Sequence, residues 1–310
     1  MSGDVSRLRK AGAQVRLSSA ELEVTILPAY GGKIVSLRHT ASGREWLAQP
    51  AHPLHARPAY GSSFTAADLC GWDEMLPTII ACRYPSADPA RNVQLPDHGE
   101  VWALEWKVLR EASGSALMAV DGRALPYRLE RHVSVTGPCV RLAYHLTAAG
   151  SEPLWLLWAA HPQFACTGGM RLVLPGHVSN LLDVTAPGQP SLRAWPGEAP
   201  DNPEALVLGE GRKLYVTPDT TVSWAALADA NGSWLRMSWD PATVPYLGLW
   251  LDNHAYAREP VVALEPSTGF YDDLALAQRS GRVPFVRAGA QLRWWIEVTV
   301  GTGKCTRRSP

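Results

Sequence analysis

The chain has 310 residues, of which 46% are hydrophobic, so it is long enough to bury a sizeable core. Its 29 basic and 29 acidic residues cancel, which gives no reason to expect nucleic acid or an acidic membrane surface as a partner. The polar N-terminus lacks the apolar core of a signal peptide, and no apolar run approaches the ~20 residues of a membrane span.

The cysteines are scattered, odd in number and without CxxC spacing; they are Cys70, Cys82, Cys139, Cys166 and Cys305. Together with the missing export signal, this pattern favours reduced thiols and a cytoplasmic location. No nucleophile elbow, P-loop, GxGxxG or HExxH motif is present. We therefore expect neither a cofactor nor a metal.

Prolines (25) and glycines (26) divide the chain into short segments, a pattern typical of an all-β sandwich or barrel. No repeat or linker divides the sequence, so we predict one β domain over residues 1–310, with loose tails at 1–14 and 301–310. There are 13 tryptophans against 4 phenylalanines. Tryptophan supplies flat faces for sugar rings, but we expect most of these to fill the core.

The N-terminal part predicts a β-hairpin. Leu22, Val24 and Ile26 alternate with polar residues, Tyr30-Gly31-Gly32 is a turn sequence, and Lys33–Arg38 reads as the returning strand. Trp46-Leu47 predicts a third short strand. The Pro-, His- and Ser-rich residues 49–69 predict a long loop. Its His52 and His55 lack a third ligand nearby, so a metal site is not expected.

Residues 71–108 carry two polar clusters. In the segment GWDEMLPTI (Gly71–Ile79), Asp73 and Glu74 either cap a turn or face a ligand. Pro96-Asp97-His98-Gly99 is a turn sequence, in which the histidine either stabilises the turn or serves a site. The alternation of Trp102, Leu104 and Trp106 then predicts a strand.

The rest of the chain predicts further strands. Regular alternation indicates strands near 116–121, 126–136 and 138–147, and Pro153–Phe164 indicates a continuous strand covered on both faces, with His161 at the end of its apolar run. Residues 165–222 predict short strands separated by Pro/Gly loops. The remaining predicted elements are a hairpin of Trp224–Ala228 and Trp234–Trp239, strands at Tyr246–Leu251, Val261–Glu265 and Leu292–Val300, and a helix at Asp272–Gln278.

Glu265 closes the apolar run VVALE, after which Pro266 is expected to stop the strand. A glutamate at the end of a buried strand must find a partner or face a cleft, because an unpaired buried charge is costly. One interpretation is a structural glutamate in a salt bridge. The other is a sugar-sized cleft built around this carboxylate.

A histidine and a glutamate together can donate one proton and accept another. Their reference pKa values, about 6.5 and 4.3, allow a protonated donor beside an ionised acceptor near neutral pH. Polar groups at strand ends or turns that could meet in this way are Asp73, Glu74, His98, His161 and Glu265.

The sequence resembles the aldose 1-epimerase (galactose mutarotase-like) family over roughly residues 15 to 300. LPAYGGKIVSLRH is similar to the family's opening hairpin, DHGEVW to its first histidine segment, WAAHPQF to its second, and ALEPSTG to its catalytic glutamate segment. The ordered set is more specific than any one segment. It implies a large antiparallel β-supersandwich with few short helices and an open cleft for a monosaccharide.

The resemblance also implies roles. Glu265 matches the general base that takes the proton of the anomeric hydroxyl, His161 matches the acid that protonates the ring oxygen, and His98 matches the second histidine near that oxygen. The implied activity interconverts the α and β anomers of a free sugar. The alternatives are a non-catalytic carbohydrate-binding or sensing protein on the same scaffold and, with less support, a lyase or hydrolase of related fold.

The sequence departs from the family pattern before the first histidine, where the usual asparagine–arginine segment is missing. Asp73, Glu74 or Arg83 would then bind the sugar hydroxyls, and Trp72 and Trp250 are candidate sugar contacts. The family's mid-chain aspartate has two candidates, Asp183 and Asp252. No clear basic cluster for a sugar phosphate is present, which favours a free sugar.

Overall fold

Two large antiparallel sheets pack on opposite sides of one hydrophobic core. The computed structural model describes residues 14–50, 57–67, 69–86, 93–166, 169–186 and 188–303. Over these residues the strands, in chain order, are β1 (Val15–Ser18), β2 (Leu22–Leu27), β3 (Lys33–His39), β4 (Trp72–Met75), β5 (Cys82–Arg83), β6 (Gln94–Leu95), β7 (Lys107–Ala112), β8 (Ser115–Asp121), β9 (Tyr127–Thr136), β10 (Cys139–Ala148), β11 (Leu154–Trp155), β12 (Ala159–Ala165), β13 (Arg171–Val173), β14 (Asn180–Asp183), β15 (Ser191–Ala194), β16 (Glu210–Val216), β17 (Trp224–Ala228), β18 (Ser233–Trp239), β19 (Tyr246–Asn253), β20 (Val261–Ser267), β21 (Phe285–Val286) and β22 (Gln291–Thr302).

The larger sheet has ten strands in the order β1-β2-β3-β4-β12-β20-β19-β16-β14-β15, and the other has eight in the order β13-β17-β18-β22-β10-β9-β8-β7. The α-helix of the described residues, α1 (Leu274–Arg279), begins after Asp273, whose carboxylate accepts hydrogen bonds from the backbone N–H groups of Ala275 and Leu276. Short 3₁₀ turns lie at Phe64–Ala66, Val101–Ala103 and Pro203–Ala205.

Strict alternation in the sequence gave correct strands where one face of a sheet is buried. In β9 and β10 every second side chain is buried, as period-two patterning requires, and the two strands pair from Cys139 opposite Thr136 to Ala148 opposite Tyr127. The predicted hairpins β2–β3 and β17–β18 are also confirmed, and α1 and β22 lie within two residues of their predicted positions.

Four local predictions were wrong. The Trp102–Trp106 alternation is not a strand: the Trp102 indole donates to the carbonyls of Asp97 and Gly99, and the Trp106 indole to that of Val101, so both rings pack on a turn. Residues 154–164 are not continuous, because β11 pairs with β21 in a separate small sheet. Pro266 does not stop β20. Trp46-Leu47 contributes a bridge from Leu47 to Phe164 rather than a strand.

The structure describes only the inner end of each predicted tail. Residues 1–13 and 304–310 lie outside the described part of the chain, as do His52 and His55. Gly301 and Thr302 are the last residues of β22 and pair with β18, so the C-terminal strand continues into the segment expected to be a tail.

A buried ion pair joins the two sheets inside the core. Glu74 on β4 accepts hydrogen bonds from Arg131 on β9, the hydroxyl of Tyr144 on β10 and the indole of Trp158, each at 2.8 Å. Glu74 and Arg131 are both fully buried. Burial raises the pKa of Glu74, and the positive charge of Arg131 opposes that rise. The carboxylate is therefore committed to holding the sheets together.

Replacing Glu74 tests this assignment. Glu74→Gln keeps the size of the side chain but leaves the buried guanidinium of Arg131 uncompensated, so we expect unfolding to become easier by about 3–5 kcal/mol. The measurement is urea unfolding followed by tryptophan fluorescence. The matched control is Glu297→Gln, which removes a half-exposed ion pair with Arg141 and should cost less than about 1 kcal/mol. Equal unfolding midpoints for the two variants would contradict the assignment.

Candidate functional site

The face of the ten-stranded sheet opposite the core carries a row of polar side chains on neighbouring strands. The pairs Ala159–Ser267 and Gln163–Ala263 place His161 of β12 opposite Glu265 of β20. The next strands extend the row, because His161 pairs with Asp73 of β4, and Glu265 pairs with Gly248 of β19. Residues of one strand alternate faces, so this register sets which groups can meet.

A cavity of about 250 Å³ lies over this row. Its polar lining comes from Thr65, His98, His161, Gln163, Lys213, Asp252, Glu265 and Asp272. Its apolar lining comes from Phe64, Leu69, Met75, Ile79, Ile80, Trp250 and Tyr256. The cavity thus combines apolar walls with a few converging polar groups, the usual form of a small-molecule site. The loop predicted at 49–69 contributes Phe64, Thr65 and Leu69 to one wall.

His161 and Glu265 are the central pair of the cavity. His161 Nε2 lies 3.9 Å from Glu265 Oε1, and the two side chains are only 7% and 2% exposed. Burial raises the pKa of Glu265, while the charge of Lys213 opposes the rise. Burial also lowers the pKa of His161 well below 6.5, with further lowering by His98, Lys213 and Lys33. Both pKa shifts work against the pair of a protonated histidine and an ionised glutamate that the reference pKa values would allow.

Glu265 is also paired with a lysine from β16. Lys213 Nζ donates to Glu265 Oε2 and lies 3.5 Å from Asp272 Oδ1, and the Tyr215 hydroxyl donates to Asp272. Burial alone would lower the pKa of Lys213, but the carboxylates of Asp272 and Glu265 outweigh it and raise that pKa. Lys213 thus remains a cation, and it leaves Glu265 Oε1 directed towards His161.

His98 reaches the cavity from a tight turn after β6. Its backbone φ is 57°, in the left-handed region that non-glycine residues rarely adopt. A Cβ at the following Gly99 would lie 2.2 Å from the Leu76 carbonyl oxygen, so only glycine fits there. The imidazole stacks on Phe64 with centroids 4.0 Å apart and lies 5.2 Å from the His161 ring. Asp97 Oδ1, 2.9 Å from Nδ1, holds the ring in place.

Three buried polar atoms on this face have no hydrogen-bond partner among the described residues: Asp73 Oδ1, His161 Nδ1 and Gln163 Nε2. Gln163 is 3% exposed and lines the cavity two residues beyond His161 on the same side of β12. A buried amide donor without a partner costs free energy. This arrangement indicates a site in which Gln163 receives its partner from a bound molecule or a water.

Comparison of the structure with solved structures finds proteins of the same architecture, whereas comparison of the sequence finds no relative. No protein-family model matches the sequence, and no curated protein matches it either. A galactose mutarotase-like protein from Lactobacillus casei ATCC 334 matches with a TM-score of 0.71 at 15% identity, over 93% of this chain and 100% of that one. An Escherichia coli K12 protein proposed to be an aldose 1-epimerase matches with a TM-score of 0.70 at 16% identity, over 94% and 99%.

A galactose mutarotase-related enzyme from Lactobacillus acidophilus also has a TM-score of 0.70, at 11% identity, covering 94% of this chain and 98% of that chain. The chain has the galactose mutarotase-like fold. The all-β supersandwich predicted from the sequence is thereby confirmed. The galactose mutarotase-like neighbours also support the resemblance seen in the sequence segments.

Within the galactose mutarotase-like fold, the structure brings together five of the residues singled out from the sequence. These cavity-lining residues are His98, His161, Trp250, Asp252 and Glu265. Asp252 is partly committed elsewhere, since its carboxylate accepts hydrogen bonds from the backbone N–H groups of Ala255, Tyr256 and Ala257. Burial raises the pKa of Asp252, and these hydrogen bonds oppose the rise.

Four residues expected to contact the sugar do not line the cavity. Trp72 and Glu74 are buried, Trp72 against Phe164 in the core and Glu74 in its pair with Arg131. Arg83 is exposed on β5, away from the cavity lining. Asp73 lies on the cavity face beside His161, but its carboxylate is buried 2.7 Å from Lys33 Nζ and does not line the cavity. Both acidic residues of GWDEMLPTI are therefore held in ion pairs, Asp73 with Lys33 and Glu74 with Arg131.

The alternative mid-chain aspartate, Asp183, also lies away from the cavity lining. It is buried on β14, with Arg212 at 3.5 Å and Arg193 at 3.6 Å from its carboxylate. Sequence reasoning did not identify Lys213, Gln163 and Asp272. For Lys213 a signal was present: in EGRKLYV, Lys213 and Tyr215 are two residues apart on a strand and so share one face.

Among the described residues, no cluster of three or more His, Cys, Asp or Glu side chains could hold a metal ion. In the same part of the chain, none of the helices is long and apolar enough to cross a membrane. The chemistry available in the cavity is that of its carboxylates, imidazoles, lysine and amide.

The unpartnered amide of Gln163 gives a stability prediction. Gln163→Met removes a buried amide whose Nε2 has no protein partner among the described residues, so we expect the free energy of unfolding of the ligand-free protein to fall by less than about 0.5 kcal/mol. The control is Gln49→Met, because the Gln49 amide donates to the carbonyls of Val35 and Leu47 and its loss should cost about 1 kcal/mol. Urea unfolding measures both, and a loss of stability in Gln163→Met as large as that in Gln49→Met would contradict this account of the cavity.

Proposed function

We propose that this protein interconverts the α and β anomers of a free monosaccharide in the cavity that contains His161 and Glu265. The observation that carries the proposal is the closeness of an imidazole and a carboxylate, 3.9 Å apart, at the floor of a small cavity with aromatic walls. The cavity volume of about 250 Å³ suits a ligand smaller than a drug-sized molecule. The galactose mutarotase-like fold supports the same activity.

In the proposed reaction, Glu265 Oε1 takes the proton of the anomeric hydroxyl while His161 Nε2 delivers a proton to the ring oxygen. The bond between C1 and the ring oxygen breaks, which leaves an open-chain aldehyde bearing one new hydroxyl. Rotation about the C1–C2 bond exposes the other face of the aldehyde, and the reverse transfers close the ring. No covalent bond to the protein forms. Each positioned acid or base typically contributes ~10²–10⁴-fold to such a rate.

The electrostatics of the cavity suit this exchange. Burial raises the pKa of Glu265 and lowers that of His161, so the two proton affinities approach each other. Proton transfer between sugar and protein in either direction then has a smaller energetic bias than it would with unperturbed groups. Lys213 stabilises the ionised form of Glu265 and so opposes the effect of burial, which favours the protonated form.

A free sugar is favoured over a sugar phosphate. Lys213 and Lys33, the lysines on the cavity face among the described residues, are both ion-paired with carboxylates. A phosphate would need positive charge that is not already matched. The cytoplasmic location remains a prediction from the sequence.

A non-catalytic sugar-binding protein is the second candidate. The ion pair between Lys213 and Glu265 favours this candidate, because a glutamate with a purely structural role would also be paired with a cation. The two candidates differ in one measurable respect: a binding protein retains the sugar without accelerating the approach to anomeric equilibrium.

Replacing the proposed base separates them. Glu265→Gln should lower the rate of anomer interconversion by ~10²-fold or more, because the amide cannot accept the proton. Lys213 keeps Asp272 as a partner, so the fold should survive. The measurement is polarimetry of freshly dissolved α-D-glucose and α-D-galactose, with sugar binding followed in parallel by calorimetry. Binding by the wild-type protein without faster equilibration would support the binding-protein candidate, and an unchanged rate in Glu265→Gln would reject the role of this residue.

The pKa directions give a pH prediction. The reactive form needs His161 protonated and Glu265 ionised. Because the pKa of His161 lies well below 6.5, kcat/KM should already fall as the pH rises towards 6.5. It should fall again at acid pH, as Glu265 protonates above its ordinary value of 4.5. The optimum of the wild-type protein, after subtraction of the uncatalysed rate in the same buffer, should therefore lie on the acidic side of pH 6.5. A plateau extending above pH 8 would contradict this assignment of acid and base.

A further inference from the structure

We propose that Lys213 is a positioning residue for Glu265, and that Asp272 holds the charge of Lys213 whenever Glu265 carries a proton. The proposal rests on the proposed function insofar as it gives Glu265 a proton to carry. Its geometry and its main test do not depend on that function, because they concern the charge state of one carboxylate.

The first support is the way in which Lys213 fixes the two oxygens of Glu265. Lys213 Nζ binds Oε2, and Oε1 is the oxygen that lies 3.9 Å from His161. A Cβ at Gly248, the residue opposite Glu265 on β19, would lie 3.2 Å from Oε2. A side chain there would crowd the ion pair. The lysine therefore occupies one carboxylate oxygen and leaves the other for a ligand.

The second support is that one ammonium group serves two carboxylates. Lys213 Nζ is also 3.5 Å from Asp272 Oδ1, and Asp272 is held in turn by the Tyr215 hydroxyl. The lysine side chain is only 13% exposed. If Glu265 were its sole partner, protonation of Glu265 would leave a buried cation unpaired, which is strongly unfavourable. With Asp272 present, Lys213 keeps a partner in both charge states.

The charge of the trio follows directly. Glu265, Lys213 and Asp272 together carry a net −1 when Glu265 is ionised and 0 when it is protonated. The positive charge of Lys213 therefore opposes protonation of Glu265, and the negative charge of Asp272 favours it. Burial has the largest effect and raises the pKa of Glu265, Lys213 lowers it, and the charge of Asp272 raises it by a smaller amount.

Most of the elements that pack around Glu265 contribute titratable or charged groups, and the exception is β19, whose residue opposite Glu265 is Gly248. The carboxylate faces the β12 strand, the turn after β6, the β16 strand and the segment after β20. The groups are His161, His98, Lys213, Tyr215 and Asp272. Among them, only Lys213 makes a hydrogen bond to the carboxylate. The removal of Lys213 or Asp272 should therefore dominate any change in the proton affinity of Glu265.

The two removals should act in opposite directions. Lys213→Met deletes the cation and leaves two carboxylates close together, so the pKa of Glu265 should rise by ~1 unit or more. Asp272→Asn deletes the competing carboxylate and gives Lys213 to Glu265 alone, so the pKa of Glu265 should fall. Lys213→Arg keeps the charge and should restore a value near that of the wild type. A merely structural role would not produce shifts of opposite sign.

The experiment is a pH titration by NMR of full-length protein labelled with ¹³C at the glutamate carboxyl carbon. The Glu265 signal is identified by its absence in Glu265→Gln. The expected result is a higher pKa in Lys213→Met, a lower one in Asp272→Asn and a nearly unchanged one in Lys213→Arg. Shifts in the same direction, or no shift in either variant, would overturn the proposal. If Lys213→Met does not fold, Asp272→Asn decides alone, and an unchanged or raised pKa there rejects the proposal.

The pH–rate profile supplies a second readout. The acid limb of kcat/KM should move to higher pH in Lys213→Met and to lower pH in Asp272→Asn, as the NMR values move. A wild-type protein without measurable anomer interconversion would reject the proposed function but would leave the NMR titration to judge Lys213 and Asp272. Failure of the function and failure of this inference are therefore distinguishable.

Discussion

The antiparallel register of β12 between β4 and β20 is the constraint on which the site depends. Side chains of a strand alternate between two faces, so a slip of one residue would turn His161 and Glu265 into the core. The register is held by the apolar residues that alternate with them. Phe164 and Leu264, for example, are fully buried on the core side. The hydrophobic pattern that builds the core therefore also determines which polar groups face the cavity.

Buried charge is the second theme of the structure. Each of three buried or nearly buried carboxylates has a cation as its partner: Glu74 has Arg131 between the sheets, Asp73 has Lys33, and Glu265 has Lys213. Such pairs do not guarantee net stability, because removing two charges from water is costly. They do impose a geometry, since the loss of one partner leaves the other exposed to that cost. The pair at Glu265 differs from the other two because it lines the cavity and includes a second carboxylate.

The sequence predicted the fold well where one periodicity dominates. The strict alternation in β9 and β10 arises because each strand has one buried and one solvent-facing side. Prediction failed where tertiary contacts override local pattern, as at Trp102 and Trp106, whose indoles donate to turn carbonyls. In the same way, β11 pairs with β21, a partner that lies far away in the chain.

The candidate site could be predicted only in part. His98, His161 and Glu265, which line the cavity, were singled out because each stands in a short segment that resembles a segment of the galactose mutarotase-like family. Glu74 was expected on the cavity side but lies in the core. Adjacent residues of a strand face opposite sides, and the sequence of Asp73 and Glu74 does not indicate which side is the core. Lys213 escaped notice because its partner, Glu265, is 52 residues away and the ion pair exists only after the sheet has formed.

The central claim is that a proton donor and a proton acceptor meet at the anomeric centre of one bound sugar. The most direct measurement is a crystal structure of the protein soaked with an aldose. The account predicts the anomeric hydroxyl within hydrogen-bond distance of Glu265 Oε1 and the ring oxygen within that distance of His161 Nε2. A sugar bound in the cavity with its anomeric carbon remote from both side chains, or bound only elsewhere on the protein, would contradict it.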